Sequence, residues 1–374
     1  MNADYAGLLN ALQPEAHLVL GALLVLGFDL VWARHRPANR HHVALALGLL
    51  ALALAGGKAV TTGGTGAVFG GVLLLDALTV ATRVGVIALA GLALCLLPPP
   101  SRLRHPAEFV AIVLFATTGF TLMAAANQLL IVFLAVELAS LSLYVLAGFD
   151  KTRPESAEAA LKYFLFGGMA AAFLLFGFSL LYGLTGSLDL GTIASQLELQ
   201  RLSPLLLVAL GMVLVAFGFK AAAAPFHLWA PDVYQGAPAP AAALIASASK
   251  LAGLVVFTRL LWPGLGAAAG TIAHTPVTLG WAPVVALIAG ASLLLGNLGA
   301  LAQSNVRRLL AYSAIAHAGA LLLGVIAAGR VGYAPLFYYA ATYGLATVGA
   351  FGVLAVLEST GPAQPLTALA GLHQ

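Results

Sequence analysis

Residues 204–235 read PLLLVALGMVLVAFGFKAAAAPFHLWAPDVYQ. The apolar part of this run is long enough to cross a bilayer, which takes about 20 residues. It does not end cleanly, because Lys220 and Pro225 follow within the same segment, and a proline inside a helix removes a hydrogen bond and clashes with the preceding turn. Non-helical backbone at membrane depth is tolerated only where it is buried within the protein or lines a water-filled cavity. We therefore predict a broken helix with a functional lysine beside the break.

The composition of the whole chain has the same character. Its 374 residues are 61% hydrophobic and 8% charged, and the mean hydropathy is +1.00. Soluble domains carry about 25% charged residues, and the net charge of +4 is spread over loops rather than forming the basic stripe that nucleic acid needs. This excludes a soluble enzyme, a nucleic-acid-binding protein and a disordered chain. We predict an all-α polytopic membrane protein.

Apolar runs between charged or turn-rich breaks predict about eleven transmembrane helices. The first is not a cleavable signal peptide, because acidic and polar residues precede it and no cleavage site follows. The runs are 17–33, 42–56, 70–97, 107–125, 129–148, 158–183, 204–222, 240–262, 278–298, 309–328 and 333–357.

The basic residues of the loops predict the orientation, because cytoplasmic loops carry an excess of arginine and lysine. With the N-terminus outside, nine basic residues fall in inside loops and three (Lys58, Arg201 and Arg330) in outside loops. The nine are Arg34, Arg36, Arg40, Arg102, Arg104, Lys151, Arg153, Arg307 and Arg308.

Ionisable residues within the apolar runs are the candidates for function, because each buried charge costs about 3 kcal/mol or more. Glu137 lies near the middle of the fifth run and Lys250 at the centre of the eighth. A neutral carboxyl or a structural ion pair is the alternative for each. Lys220 is central if its helix continues through the break, and an ordinary terminal lysine if the helix stops.

Three further side chains are candidates. Lys162 follows Glu158 by four residues, a spacing that equally suits a plain helical ion pair. His227 and His317 have the pKa range of proton relays, although a lone histidine is also compatible with simple hydrogen bonding. A row of such groups favours proton translocation, because lysines are poor ligands for alkali cations.

The remaining polar residues are interpreted as structural. Asp29 and an Asp76–Arg83 pair are predicted to stabilise the fold, and Arg259 is expected to extend to the membrane surface. The tyrosines of the last run are predicted to pack or to lie at the membrane interface: Tyr333, Tyr338, Tyr339 and Tyr343. The sequence predicts no metal site and no covalent chemistry in this chain, because it has one cysteine (Cys95), no nucleophile triad and no nucleotide-binding loop.

Five strings of the sequence carry a resemblance to a known family. They are Glu137-Leu-Ala-Ser-Leu-Ser-Leu-Tyr144, Ser156-Ala-Glu-Ala-Ala-Leu-Lys-Tyr163, Leu181-Tyr-Gly-Leu-Thr-Gly-Ser-Leu-Asp-Leu190, Phe219-Lys-Ala-Ala-Ala-Ala-Pro-Phe-His-Leu-Trp-Ala-Pro-Asp-Val-Tyr-Gln-Gly-Ala-Pro238 and Asn305-Val-Arg-Arg-Leu-Leu-Ala-Tyr-Ser-Ala-Ile-Ala-His-Ala-Gly319. With these strings the chain resembles subunit N of proton-pumping NADH–quinone oxidoreductase, the bacterial counterpart of complex I chain 2. The string Pro-Asp-Val-Tyr-x-Gly-Ala-Pro within the fourth is specific to this subunit.

The resemblance implies a membrane-arm subunit that translocates protons, driven by quinone reduction in other subunits. It implies a functional pair of Glu137 and Lys220, with Lys250 and Lys162 on a central hydrophilic axis. Flavin, iron–sulfur clusters and quinone are expected in other subunits and not in this chain. The implied partners are other membrane-arm subunits, including a neighbouring antiporter-like subunit, in the inner membrane of a bacterium.

The resemblance also implies inverted five-helix repeats. We expect N-terminal helices in residues 1–104, a first repeat in 105–265 and a partial second repeat in 266–374. The family has about fourteen helices, so the second repeat is expected to be incomplete here. Two alternatives stay open: a subunit of a related cation/proton antiporter or membrane hydrogenase, and a non-pumping structural subunit.

Overall fold

The computed structural model describes residues 5–32, 37–62, 64, 66–99, 103–199, 202–271, 278–360 and 365–370. Fifteen α-helices make up most of this part of the chain. They are α1 (Tyr5–Ala11), α2 (Gln13–Val31), α3 (Pro37–Thr61), α4 (Ala77–Leu94), α5 (Pro106–Ala125), α6 (Leu129–Ala147), α7 (Pro154–Thr185), α8 (Leu190–Glu198), α9 (Pro204–Ala221), α10 (Ala230–Gly236), α11 (Ala239–Ala246), α12 (Ala248–Arg259), α13 (Trp281–Leu301), α14 (Val306–Val331) and α15 (Ala334–Thr360).

The eleven predicted spans are confirmed. Eleven helical segments of the described chain are long and apolar enough to cross a membrane, and each overlaps one predicted run. Large apolar side chains such as Leu161, Phe176 and Leu287 are exposed on the bundle surface, which is the pattern of helices whose solvent is lipid. The chain is therefore a multi-pass membrane protein.

The third run begins differently from the prediction. Residues 70–76 are not helical; instead, strand β1 (Gly66–Val68) pairs antiparallel with β2 (Leu73–Leu75). The turn between the strands includes Gly70 and Gly71, both with positive φ, a conformation that glycine adopts without steric cost. Helix α4 starts only after Asp76, whose carboxylate accepts a hydrogen bond from the Thr79 backbone N–H at 2.7 Å.

The eighth span lies at the centre of the bundle. Every residue of α11 and α12 is buried, and α12 contacts α4, α5, α9 and α15. The span is also interrupted, since Ser247 separates α11 from α12 with φ −114° and ψ −85°. The apolar run 240–262 was expected to form one span, and Ser247, which is neither glycine nor proline, does not mark the interruption.

Basic loop residues gather at one end of the bundle. The guanidinium of Arg40 donates to the Arg104 carbonyl at 3.2 Å, and one surface cavity of about 720 Å³ is lined by Arg104, Lys151, Arg153 and Arg307. We call this the basic end; the α14–α15 connection lies at the opposite end. Arg34, Arg36, Arg102 and Arg201, which the orientation prediction also used, lie outside the described residues.

Candidate functional site

The predicted break in the seventh span is present. Helix α9 ends at Ala221, Ala222 takes a left-handed conformation (φ 57°, ψ 41°), and α10 starts at Ala230. The Ala224–Pro225 peptide bond within the break is cis. Lys220 therefore lies in the last turn of α9, at a point where the chain continues through the protein instead of leaving it.

The backbone groups that the break frees are paired. Ser292 of α13 accepts a hydrogen bond from the Ala224 backbone N–H at 2.8 Å. The indole of Trp229 donates to the Phe219 carbonyl at 3.2 Å. An unpaired backbone group inside a bilayer costs several kcal/mol, so these two side chains allow a stable break at this depth.

Lys220 and Glu137 meet beside the break. The Lys220 side chain is buried, with 7% of its residue surface exposed, and its ammonium donates to the Ser140 hydroxyl at 3.1 Å. Ser140 lies three residues after Glu137 on α6, so both project from the same face of that helix. Glu137, Ser140 and Lys220 line one cavity of about 20 Å³, a volume that holds about one water molecule.

Lys250 lies next along the bundle. It is 4% exposed, and its ammonium donates to the Ala314 carbonyl at 2.5 Å. Lys250 and Lys220 line a second cavity of about 10 Å³. Gly253 makes room for this arrangement, since a Cβ there would lie 3.2 Å from the Cγ of Lys220. The two lysines and the carboxylate thus follow one another across α6, α9 and α12.

His317 of α14 extends this row through contacts with two tyrosines of α15 that the sequence did not predict. Its Nδ1 is 2.7 Å from the Tyr339 hydroxyl, and its ring centre is 4.5 Å from that of Tyr343. The Lys250 ammonium lies 5.5 Å from the Tyr343 ring centre. Tyr339 and Tyr343 were interpreted as packing residues, although their spacing of four places them on one helix face, which was the available signal.

Lys162 lies apart from the two buried lysines. Its ammonium is 2.5 Å from both a Glu158 and an Asp232 carboxylate oxygen, and 37% of its side chain is exposed. Asp232 also accepts from the Arg308 guanidinium at 2.5 Å. The i, i+4 pair with Glu158 is confirmed, and Lys162 lines neither of the two cavities beside Lys220.

His227 lies in the turn between α9 and α10. It is 9% exposed, and its Nδ1 is buried without a hydrogen-bond partner among the described residues. The break therefore carries a second titratable group beyond Lys220. Within the described part of the chain, no group of three or more histidine, cysteine, aspartate or glutamate residues is placed so that it could hold a metal ion.

Two interpretations of the other buried charges are wrong. Arg83 pairs with Glu15 of α2 at 2.9 Å and not with Asp76. Asp76 instead pairs with Arg259 at 2.5 Å, and Arg259 is 4% exposed rather than extended to the surface. The reason is geometric: Arg83 lies on α4 itself, facing α2, whereas Asp76 precedes the helix and faces the end of α12. Asp29, by contrast, forms the expected structural contact, an ion pair with Arg40 at 2.6 Å.

Helix α10 is held by α14. The guanidinium of Arg307 donates to both carboxylate oxygens of Glu358, at 2.7 and 2.6 Å, and to the Ala237 carbonyl at 2.6 Å. Ala237 is the C-cap residue of α10, where a cation is favoured by the helix dipole. The second half of the broken span is thereby tied to the last two long helices.

A bundle of spanning helices with a broken helix and two adjacent buried lysines defines an antiporter-like membrane protein. Residues 126–374 match the family described as NADH:quinone oxidoreductase/Mrp antiporter, TM. The chain belongs to this family.

Similar proteins narrow the assignment within the family. NADH-quinone oxidoreductase subunit N 2 of Acidobacterium capsulatum is 48% identical over 99% of this chain and 76% of its own length. Subunit N of Geobacillus kaustophilus is 38% identical over 98% of this chain and 74% of its own length. A chain of the respiratory complex I from Thermus thermophilus with bound aureothin superimposes with a TM-score of 0.77 at 36% identity, over 96% of this chain and 74% of that chain. The resemblance to subunit N is confirmed.

Proposed function

We propose that this chain translocates protons across the membrane as a membrane-arm subunit of an NADH–quinone oxidoreductase. The observation that carries the proposal is the row Glu137–Lys220–Lys250. The two buried lysines line one small cavity, and Glu137 lines a second cavity together with Lys220. A buried lysine exchanges its proton readily when a nearby charge changes. Movement of one proton along the row therefore alters the charge on the next group.

The surroundings of the row favour protons over other ions. Alkali cations are bound by oxygen ligands such as carbonyls and carboxylates, whereas the central groups here are ammonium groups. The cavities of about 20 and 10 Å³ suit single water molecules that relay protons. His317 continues the row beyond Lys250, and both are part of the proposed path.

Lys162 and His227 are proposed as the groups of the path nearest the basic end. Lys162 is partly exposed and reaches Asp232 of α10, and His227 lies between α10 and Lys220 along the chain. This arrangement would let a proton pass from the surface cluster to the break. The carboxylates on either side of Lys162 keep a proton donor in place there.

The energy for transport is proposed to come from elsewhere in the complex. Flavin, iron–sulfur clusters and quinone would belong to other subunits, and this chain would have neighbours in the membrane arm, including another antiporter-like subunit. The gathering of Arg40, Arg104, Lys151, Arg153 and Arg307 at one end supports a cytoplasmic basic end and an outside N-terminus, by the excess of basic residues in cytoplasmic loops. The membrane would be the inner membrane of a bacterium.

The test is a charge-removing substitution in the assembled complex. Lys220→Met keeps the length and apolar stem but removes the ammonium; Lys151→Met, at an exposed loop position, is the matched control. NADH-driven proton uptake into inverted membrane vesicles is measured together with NADH oxidation. We expect fewer protons per NADH for Lys220→Met and for Glu137→Gln, and no change for the control. An unaltered proton yield in the double variant Lys220→Met/Glu137→Gln would contradict the proposal and favour a structural subunit.

A further inference from the structure

A groove lies beside Tyr339, towards the end of the bundle opposite the basic end. It has a volume of about 200 Å³ and lies between the second half of α14 and the first turns of α15. Tyr339 lines it together with small and apolar residues that reach the α14–α15 connection, among them Ala327, Gly332 and Pro335. Among these lining residues, Tyr339 alone has a polar side chain.

Tyr339 joins this groove to the buried row. Its hydroxyl is 2.7 Å from Nδ1 of His317, while its side chain faces the groove. The residue is 37% exposed, in contrast to 71% for the adjacent Tyr338. A tyrosine hydroxyl donates one hydrogen bond and accepts others, so it can contact the histidine and a water molecule at the same time.

We propose that Tyr339 is a further relay residue, through which protons leave His317 for water in the α14–α15 groove. This inference rests on the proposed proton translocation and adds an exit to it. Lys250 and His317 are connected by Tyr343, whose ring lies 5.5 Å from the ammonium and 4.5 Å from the imidazole. Lys250 and His317 therefore lie beside the same aromatic ring, and His317 in turn contacts Tyr339 at the groove.

The step balances without a redox partner. The Nδ1–H bond of protonated His317 breaks as a new O–H bond forms on Tyr339. The original Tyr339 hydroxyl proton passes to a groove water, which becomes hydronium. Tyr339 is neutral before and after the step, and rotation of its hydroxyl restores the starting hydrogen bond.

The experiment compares neighbouring tyrosines in the assembled complex. Tyr339→Phe keeps the ring and removes only the hydroxyl, and Tyr338→Phe is the control on the same helix. The proton yield per NADH and the NADH oxidation rate of uncoupled vesicles are measured. We expect Tyr339→Phe to lower the proton yield as much as His317→Ala does, with no further loss in the double variant and with oxidation unchanged.

A second variant tests the groove without touching the hydroxyl. Ala327→Phe places a large ring among the lining residues and is expected to lower the proton yield as well. The inference is overturned if Tyr339→Phe behaves like Tyr338→Phe while Lys220→Met loses transport, or if Ala327→Phe has no effect. If Lys220→Met also retains full transport, the proposed function itself fails.

Discussion

The Lys220 ammonium donates a 3.1 Å hydrogen bond to the hydroxyl of Ser140, a residue of another helix 80 positions earlier in the chain. This contact places the charge of α9 beside the face of α6 that carries Glu137. The Glu137 carboxylate and the Lys220 ammonium line the same cavity, but they are too far apart to form a direct ion pair. Ser140 therefore fixes the position of the Lys220 ammonium at the cavity that Glu137 also lines.

Replacing Ser140 by alanine is expected to weaken this site. A hydrogen bond to a charged group contributes about 1.5–3 kcal/mol, and its loss leaves the Lys220 ammonium with less stabilisation. We expect a several-fold lower proton yield per NADH, with assembly retained. The control is Ser142→Ala, because among the described residues the Ser142 hydroxyl bonds its own helix alone, at the Leu138 carbonyl. Equal effects of the two substitutions would contradict the role of Ser140.

Gly253→Val is expected to displace the Lys220 stem. A Cβ at this position would already lie 3.2 Å from the Cγ of Lys220, and overpacking of this kind costs about 1–3 kcal/mol. The variant should show a lower thermal midpoint in detergent and a lower proton yield. Gly168→Val is the control, since a Cβ there has open space, and a comparable loss in the control would show that the effect is not local to Lys220.

Arg307→Gln is expected to destabilise the second half of the broken span. The substitution removes the two hydrogen bonds that the Arg307 guanidinium donates to the Glu358 carboxylate, whose side chain is 18% exposed. Breaking a buried pair from one side costs about 3–5 kcal/mol. Thermal unfolding in detergent measures the loss, with the exposed Arg330→Gln at the other end of α14 as control. A restored midpoint in Arg307→Gln/Glu358→Gln would confirm that the negative charge left on Glu358 causes it.

The Asp76–Arg259 pair predicts a pH dependence of stability. Burial raises the pKa of Asp76, but the Arg259 charge and the hydrogen bonds from Thr79 outweigh burial and hold the pKa below its ordinary value of 3.8. The pair therefore stabilises the protein above that value, and the contribution is lost as the pH falls through the lower, folded-state pKa. Asp76→Asn should reduce the thermal midpoint near neutral pH.

The difference between Asp76→Asn and the wild type should shrink as the medium is acidified through this window. Thermal unfolding at a series of pH values measures both curves. Asp150→Asn, which removes a loop carboxylate that bonds Thr152, serves as the comparison. A constant difference between Asp76→Asn and wild type at every pH would rule out ionisation of Asp76 as the cause.

The spans and the break were predictable because their causes are local. A run of about 20 apolar residues is a helix in lipid whatever its neighbours are, and Pro225 breaks the backbone hydrogen bonding by its own chemistry. The strand pair at Gly66–Leu75 was missed, because an apolar run that continues into a helix has the same composition as the helix. The interruption at Ser247 has no proline or glycine to mark it.

The partners of the charged groups were less predictable. Asp76 immediately precedes α4 and Arg83 lies two turns later on that helix, a spacing that suggested an ion pair. In the bundle, however, Arg83 pairs with Glu15 of α2 and Asp76 pairs with Arg259 of α12. The positions of Lys162, His227 and His317 along a proton path stay predictions. Tyr339 was identified only once α14 and α15 were seen side by side, because the rotation of each helix about its axis decides which side chains face each other.

Apolar residues alone were enough to show that this protein lies in a membrane and where its helices run, since the free energy of placing a side chain in lipid depends mainly on that side chain. Because Glu137, Lys220 and Lys250 lie within these apolar runs, the sequence also showed that each of them needs a partner or water. Only the packing of the bundle decided which partner each one has, because hydrogen bonds and ion pairs depend on distances of a few ångströms between helices far apart in the chain.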